Sequence, residues 1–292
     1  MKRVGIVTDS NSGISQSEAI KMGIKVLPMP FYFGEECYYE DVSLTREDFF
    51  RRQGNGENVS TSQPSPEAVT NLWREGLKEY EEIIYMPMSS GLSGSCDTAK
   101  MLASDEEFEG KVYVVDNGRV STPAIRAIKD AMEMIDEGYG AADIRTMLEE
   151  AKENMSIYIA VETLEFLKKG GRITPATAAI GTVLNIKPIL SLGVKNLDTY
   201  AKCRGMKKAR KIMLEAIKND IETRYKEYLD RGELYMLAAS TADEETTRGW
   251  VEEIKEYFQG MEVLSGNLAL SICCHTGPGA LGVGFSCKPN RI

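Results

Sequence analysis

Short apolar runs alternate with amphipathic stretches through the first half of the chain. The apolar runs predict β-strands at Val4–Thr8, Ile24–Met29, Ile83–Met88 and Lys111–Asp116. The stretches that follow them have helical spacing, including Ser95–Ala103 and residues 122–137. This alternation predicts an α/β domain with a mostly parallel sheet and flanking helices on both faces.

The pattern changes after residue 154. Short helices at 162–169 and Pro175–Gly181 precede a long helical segment, Met206–Leu229. Further β segments are predicted at Ser156–Ala160, Leu234–Ala239, Ala269–Cys274 and Leu281–Ser286. The sequence therefore predicts two domains, an N-terminal α/β domain over residues 1–154 and a C-terminal α+β domain over residues 155–292.

The stretch Ile83–Ala103 combines a predicted strand, a polar loop and a helix. Its loop, Ser89–Gly94, is rich in serine and glycine, so hydroxyl donors and close backbone approach are both available. The first N–H groups of a helix lack intrahelical partners and favour an anion such as phosphate or carboxylate. The alternative is a serine-capped helix that simply follows a strand.

Polar residues also follow other predicted strands. Asp9-Ser10, Ser89–Ser93 and Asp116-Asn117 would fall at the carboxyl ends of parallel strands, where ligands bind in such sheets. A long polar loop over residues 54–66 adds hydroxyls at Ser60, Thr61 and Ser62. Loops of this length are uncommon unless they have a function.

His275 is the only histidine and ends the predicted strand Ala269–Cys274. The Gly/Pro turn that follows favours a side chain that faces a cleft, while a purely structural histidine remains the alternative. A serine esterase or acyltransferase using Ser93 and His275 is a second hypothesis. The G-x-S-x-G motif of such enzymes requires glycine two residues after the nucleophile, and that position is Ser95.

Composition removes several classes of function. The formal net charge of −9 argues against a general nucleic-acid binder. Six cysteines without a CxxC pair and one histidine give no zinc pattern, and no nucleotide-binding motif occurs, so neither a metal nor a cofactor is expected. Apolar runs are too short for a membrane span and the N-terminus does not resemble a signal peptide, so we expect a cytoplasmic protein.

Basic residues cluster locally in spite of the acidic total. Lys168, Lys169 and Arg172 surround a Gly-Gly pair, and residues 195–211 carry seven basic side chains against one acid, Asp198. A solvated helix face explains part of this cluster. Docking of an acidic partner or a phosphate explains the remainder, and a DNA-associated regulator is a weaker third hypothesis.

Five motifs occur in a characteristic order across the whole chain. They are Thr8-Asp9-Ser10, Thr61-Ser62-Gln63-Pro64, Ser89-Ser90-Gly91-Leu92-Ser93-Gly94, Lys169-Gly170-Gly171-Arg172-Ile173 and His275-Thr276-Gly277. In this order they resemble the DegV family of fatty-acid-binding proteins. The resemblance implies two α/β domains with a long-chain fatty acid between them. It also implies a role like that of the FakB subunits of bacterial fatty acid kinase, which present the acid to a separate ATP-dependent kinase and carry away the acyl phosphate.

The resemblance also implies roles for individual residues. It places the carboxylate site on Thr61, Ser93 and His275, supported by Ser62, Gly91, Leu92 and Gly94, and the kinase-facing basic residues at Arg172 and Arg204. It implies a lipid carrier without catalysis of its own, in contact with a fatty acid and a kinase and at most transiently with a membrane. The sequence departs from the family pattern at Asp116–Pro123, which bears on pocket shape and chain preference.

Overall fold

A computed structural model of the chain describes residues 2–178, 185–193 and 197–292. The chain separates into two compact units. Unit 1 comprises the chain up to Lys152 together with Ala269–Ser271 and Pro289–Ile292, and unit 2 comprises Glu153–Leu268 and Ile272–Lys288. Each unit is therefore assembled from separate segments of the chain.

Unit 1 is built on a parallel sheet and a smaller antiparallel sheet. In chain order its elements are β1 (Lys2–Asp9), α1 (Gln16–Met22), β2 (Lys25–Leu27), β3 (Pro30–Phe33), β4 (Glu36–Tyr39), α2 (Arg46–Gly54), β5 (Val59–Thr61), α3 (Pro66–Leu77), β6 (Tyr80–Met86), α4 (Ser95–Ala103), β7 (Val112–Val114), α5 (Thr122–Asp136) and α6 (Ala141–Glu150).

The parallel sheet has the strand order β2-β1-β6-β7. Successive side chains of a strand point to opposite faces, and here both faces are buried. Ile6 and Ile84 pack with α1, α5 and α6 on one face, whereas Val7, Ile83 and Tyr85 pack with α3 and α4 on the other. The predicted class, a mostly parallel sheet with helices on both faces, is confirmed.

The smaller sheet has the order β4-β3-β5 and is antiparallel. Phe31 and Phe33 of β3 each lie 5.5 Å, between ring centroids, from Phe49 of α2. β5 lies within the stretch 54–66, which the sequence predicts to be a loop. A strand of three residues is too short to show an alternating pattern.

Unit 2 contains a six-stranded mixed sheet with the order β10-β9-β8-β13-β11-β12. Its elements are β8 (Met155–Ala160), α7 (Glu165–Gly170), α8 (Pro175–Ala178), β9 (Ile186–Leu192), β10 (Leu197–Arg204), α9 (Met206–Arg224), α10 (Lys226–Asp230), β11 (Leu234–Ser240), α11 (Glu244–Tyr257), β12 (Val263–Asn267) and β13 (Leu281–Cys287). Helix α12 (Leu270–Thr276) belongs to unit 2 from Ile272 onward, and its first two residues belong to unit 1.

The two faces of this sheet are covered by different helices. Tyr158, Ile189 and Phe285 pack with α9 and α11 on one face. Leu190 packs with Leu167 of α7 on the other face. The β11–β12 pair is parallel and the remaining pairs are antiparallel, as in an α+β arrangement.

The predicted strand Ala269–Cys274 is wrong, because the structure has the helix α12 over Leu270–Thr276. Most side chains of this segment are buried, and the two less buried ones, Ile272 and His275, are three residues apart, as one helix face requires. A short helix that is buried nearly all round has the same apolar run as a buried strand. His275 therefore lies in the last turn of a helix.

The basic window 195–211 divides between two elements. Lys202 and Arg204 lie on the edge strand β10, and Lys207, Lys208 and Lys211 lie in α9. A helix face therefore accounts for only part of the window. Lys195 and the predicted helix end at Gly181 lie outside the described residues.

Candidate functional site

Polar residues follow the ends of three neighbouring parallel strands in unit 1. Asp9 ends β1, Ser89 follows β6 and Asp116 follows β7. One Asp9 oxygen accepts a hydrogen bond from the Met88 N–H at 2.8 Å, and the other accepts from the Asn11 N–H at 2.9 Å. Burial raises the pKa of Asp9 to about 6, although these two hydrogen bonds oppose the shift. Asp9 thus ties the end of β1 to the start of the loop after β6.

The loop Ser89–Gly94 forms a compact turn. The N–H groups of Leu92 and Ser93 donate to the Ser89 carbonyl at 3.0 and 3.1 Å, and the Gly91 N–H donates to Ser89 Oγ at 3.2 Å. Ser93 Oγ accepts from the Ser95 N–H at 3.2 Å at the start of α4. The Ser93 hydroxyl still carries a hydrogen that it can donate to a ligand oxygen.

Helix α4 begins without a side-chain cap, since its N-cap is Gly94. The N-terminal end of a helix carries partial positive charge and backbone N–H groups without intrahelical partners. Ser93 and the start of α4 therefore present donors side by side. This is the arrangement that the sequence predicts for an anion such as a carboxylate.

The Thr61 segment is joined by Gln63 to α4, the helix that follows this loop. Thr61 ends β5, opposite Phe31 in the register of the small sheet. Gln63 Oε1 accepts a hydrogen bond from Thr98 Oγ1 of α4 at 3.0 Å, and it lies 3.8 Å from the point where Gly94 would carry a Cβ. The structure thus links the Thr61 segment to the helix that follows the Ser89–Gly94 loop, through the glutamine of the motif Thr61-Ser62-Gln63-Pro64.

Asp116 braces the same loop from the β7 side. Its Oδ2 accepts from Ser90 Oγ and from Lys152 Nζ, each at 2.7 Å, and Lys100 Nζ lies 3.6 Å away. Burial works to raise the pKa of Asp116, but the hydrogen bonds from Lys152 and Ser90 outweigh it and lower the pKa to about 2. This carboxylate is therefore ionised at neutral pH.

The segment Asp116–Pro123, where the sequence departs from the family pattern, forms an ordered turn. Asn117 Oδ1 accepts from the Arg119 N–H at 3.1 Å, and the Ser121 N–H donates to the Asn11 carbonyl at 2.8 Å. Pro123 lies in the first turn of α5, where a missing N–H costs no helical hydrogen bond. The proline is therefore compatible with the helix start.

His275 lies in unit 2, against the Gly-Gly turn that ends α7. A Cβ added to Gly170 would meet His275 Nδ1 at 2.0 Å, so only glycine permits this close approach. Burial, together with the positive charge of Arg172, lowers the pKa of His275 to about 4. The imidazole is thus neutral at pH 7 and has one N–H donor and one nitrogen acceptor.

The two predicted partner-facing arginines are both exposed but lie apart within unit 2. Arg172 follows the turn at α7 and donates to the Gly170 carbonyl. Its neighbour Ile173 bridges to Leu197 at the start of β10, and Arg204 lies at the other end of that strand. A rise of about 3.3 Å per residue places the two arginines roughly 20 Å apart.

No described helix is long and apolar enough to cross a membrane. No group of three or more described His, Cys, Asp or Glu side chains is arranged to hold a metal ion.

Comparisons with known proteins agree with the motifs. A family model described as "Uncharacterised protein, DegV family" matches residues 3–288. A DegV domain-containing protein of Clostridium acetobutylicum is 28% identical over 289 residues, covering 97% of this chain and 98% of its own.

Solved structures of DegV family proteins are also similar to this chain. A DegV family protein from Thermus thermophilus, described as binding fatty acid, is 31% identical with a TM-score of 0.86 and covers 98% of this chain and 99% of its own. DegV of Bacillus subtilis, described as a fatty acid binding protein, is 27% identical with a TM-score of 0.83, covering 99% and 100%. These descriptions give no support to the esterase alternative. The resemblance seen in the five motifs is confirmed, and the chain belongs to the DegV family.

Proposed function

We propose that this protein binds a long-chain fatty acid and holds its carboxylate with Thr61, Ser93 and His275. The observation that carries the proposal is the link between the Thr61 segment and the Ser93 loop through Gln63 and Thr98. This link joins two hydroxyl-bearing segments at the start of the uncapped helix α4. Further support comes from the fatty-acid-binding relatives of Thermus thermophilus and Bacillus subtilis.

The acyl chain supplies most of the affinity. Each buried methylene contributes about 0.8 kcal/mol, so a chain of about 15 methylenes gives roughly 12 kcal/mol before the costs of binding. The carboxylate contributes less, because its lost hydration must be replaced by hydroxyl and N–H donors. The head-group residues therefore act chiefly by orienting the carboxylate.

His275 fits this role as a neutral donor. Its lowered pKa keeps the ring uncharged at pH 7, so its N–H donates a hydrogen bond without forming an ion pair. A neutral donor holds the carboxylate while leaving its negative charge on the oxygens. Such an oxygen remains nucleophilic toward a phosphoryl group.

We further propose that a separate ATP-dependent kinase phosphorylates the bound carboxylate, and that the acyl phosphate feeds phospholipid synthesis. The protein then acts as the substrate-presenting subunit without catalysis of its own. Support comes from Arg172 and Arg204, two exposed basic side chains in a chain of net charge −9, each of which offers an acidic partner a point of contact on unit 2.

The first test is extraction of the purified protein with organic solvent, followed by mass spectrometry. We expect a long-chain fatty acid near one equivalent. Thr61→Ala with Ser93→Ala should lower fatty-acid affinity at least tenfold, since two hydrogen bonds to a charged group are lost. Ser104→Ala, at the opposite end of α4, is the matched control.

An empty extract, repeated after the protein has been offered several fatty acids, would overturn the proposal. The kinase step is tested separately with loaded protein, a fatty acid kinase, ATP and hydroxylamine to trap the acyl phosphate. Arg204→Ala should slow hydroxamate formation while fatty-acid binding is unchanged, and Arg248→Ala on α11 is the control. Equal rates for both variants would remove Arg204 from the kinase contact.

A further inference from the structure

Asp116 connects the Ser89–Gly94 loop to two lysines of unit 1. Its Oδ1 accepts from the Ser90 N–H at 3.3 Å and its Oδ2 accepts from Ser90 Oγ at 2.7 Å, so both polar groups of Ser90 are held by one carboxylate. Lys152 donates to the same Oδ2 at 2.7 Å, and Lys100 of α4 lies 3.6 Å from it. The side chain of Asp116 is only 10% exposed.

The position of Ser90 bears directly on Ser93. Ser90 lies inside the turn that the Leu92 and Ser93 N–H groups close onto the Ser89 carbonyl. Releasing Ser90 frees the middle of this turn, and with it the direction of the Ser93 hydroxyl. Hydrogen bonds to a charged acceptor are stronger than those between neutral groups, so Asp116 is a firmer anchor than an amide would be.

A negative charge beside a carboxylate-binding loop needs compensation. Two unit charges of like sign repel appreciably at the distances found within a partly buried site. Lys152 and Lys100 both form ion pairs with Asp116. The cluster of these three side chains therefore carries no net negative charge. The lysines thus allow an aspartate to brace the loop without repelling an anionic ligand.

We propose that Asp116, paired with Lys152, is a positioning residue that fixes Ser90 and thereby aims Ser93 at the carboxylate of the ligand. The role rests on the proposed function, since it assumes that a fatty-acid carboxylate occupies the Ser93 loop. Asp116 affects only the binding of the carboxylate head group and does not affect the binding of the acyl chain.

The test compares two ligands that share a chain and differ in the head group, palmitate and hexadecanol. We expect wild-type protein to prefer palmitate. Asp116→Asn should weaken palmitate binding about tenfold and change hexadecanol binding less than about twofold. Lys152→Met should weaken palmitate binding more than Asp116→Asn does, because the Asp116 charge is then balanced only by the more distant Lys100.

Two further variants separate positioning from a general loss of structure. Ser90→Ala removes only one bond to Asp116, and combined with Asp116→Asn it should add little to the loss. Asp143→Asn makes the same carboxylate-to-amide change on the exposed surface of α6 and should leave both affinities unchanged.

A parallel loss of palmitate and hexadecanol binding in the Asp116→Asn or Ser90→Ala variant would overturn the positioning role, as would unchanged palmitate binding. Wild-type protein that binds neither ligand would instead overturn the proposed function itself, and the positioning role with it.

Discussion

Asp9 and Met88 are joined across the ends of two neighbouring strands, the Asp9 carboxylate accepting the Met88 N–H at 2.8 Å. Asp9 is almost completely buried, with 1% of the residue exposed. It therefore holds the start of the Ser89–Gly94 loop under conditions that penalise its charge. We therefore expect the unit 1 loop to respond to pH.

We expect the stability of the protein to record the titration of Asp9. Its pKa is about 6 in the folded state against 3.8 for an ordinary aspartate, so between these values the folded state binds the additional proton. The Asp9 contribution to the free energy of unfolding therefore decreases as pH rises from about 4 to about 6, by up to about 3 kcal/mol, and is constant above. Urea denaturation of the wild type and of Asp9→Asn across this pH range measures the Asp9 contribution to the free energy of unfolding. Parallel curves would show that Asp9 does not titrate there.

His275 offers an unambiguous spectroscopic probe, because it is the only histidine. In ligand-free protein we expect its imidazole to titrate with a midpoint near pH 4, below the ordinary value of 6.5. A bound carboxylate favours the protonated ring, so saturation with a fatty acid should raise the midpoint. Histidine ring signals in an NMR titration report both values. An unshifted midpoint on saturation would place the carboxylate away from His275.

Gly170→Ala should displace His275 and weaken fatty-acid binding. The added Cβ would meet the ring at 2.0 Å, a distance at which one of the two groups must move. The matched control is Gly249→Ala in α11, where a Cβ meets nothing within 4 Å. Alanine is favoured over glycine inside a helix, so the control should gain about 0.5–1 kcal/mol of stability and keep its affinity. Calorimetric titration of both variants tests this, and unchanged affinity in Gly170→Ala would contradict it.

The bond between Gln63 and Thr98 should couple the two hydroxyl loops energetically. A double-mutant cycle with Gln63→Ala and Thr98→Val should give a coupling energy of about 0.5–1.5 kcal/mol in the binding free energy of a fatty acid. Thr146→Val on α6 replaces Thr98→Val in the control cycle, with no coupling expected. Additive losses in the first cycle would mean that the two loops bind independently.

The element around Ser93 was predictable because its signals are local. The apolar run of β6, the serines and glycines after it and the helical spacing of α4 follow one another within the 24 residues from Tyr80 to Ala103. The head-group candidates Thr61 and His275 came from the same kind of local context together with the family resemblance. Their roles remain predictions.

Other features depend on contacts that no local pattern contains. Gln63 accepts a hydrogen bond from Thr98, which is 35 residues further along the chain. The requirement for glycine at position 170 comes from the close approach of His275, more than a hundred residues further along. Helix α12 was mistaken for a strand because burial on nearly all sides removes the periodicity that distinguishes the two. The pairing of Lys152 with Asp116 is also not indicated by the sequence, since a lysine at a helix end is normally solvated.

The assembly of unit 1 from distant segments has a consequence for synthesis on the ribosome. Ala269–Ser271 and Pro289–Ile292 belong to unit 1 but emerge more than a hundred residues after Lys152. At about 5–20 residues per second, the nascent N-terminal segment waits on the order of 10 s for these pieces. During that delay Glu40 and Asn11 lack the hydrogen bonds that Leu270 and Ser271 donate to them in the folded protein. We therefore expect chaperone binding to stalled nascent chains to be greatest when the chain ends between residues 152 and 269.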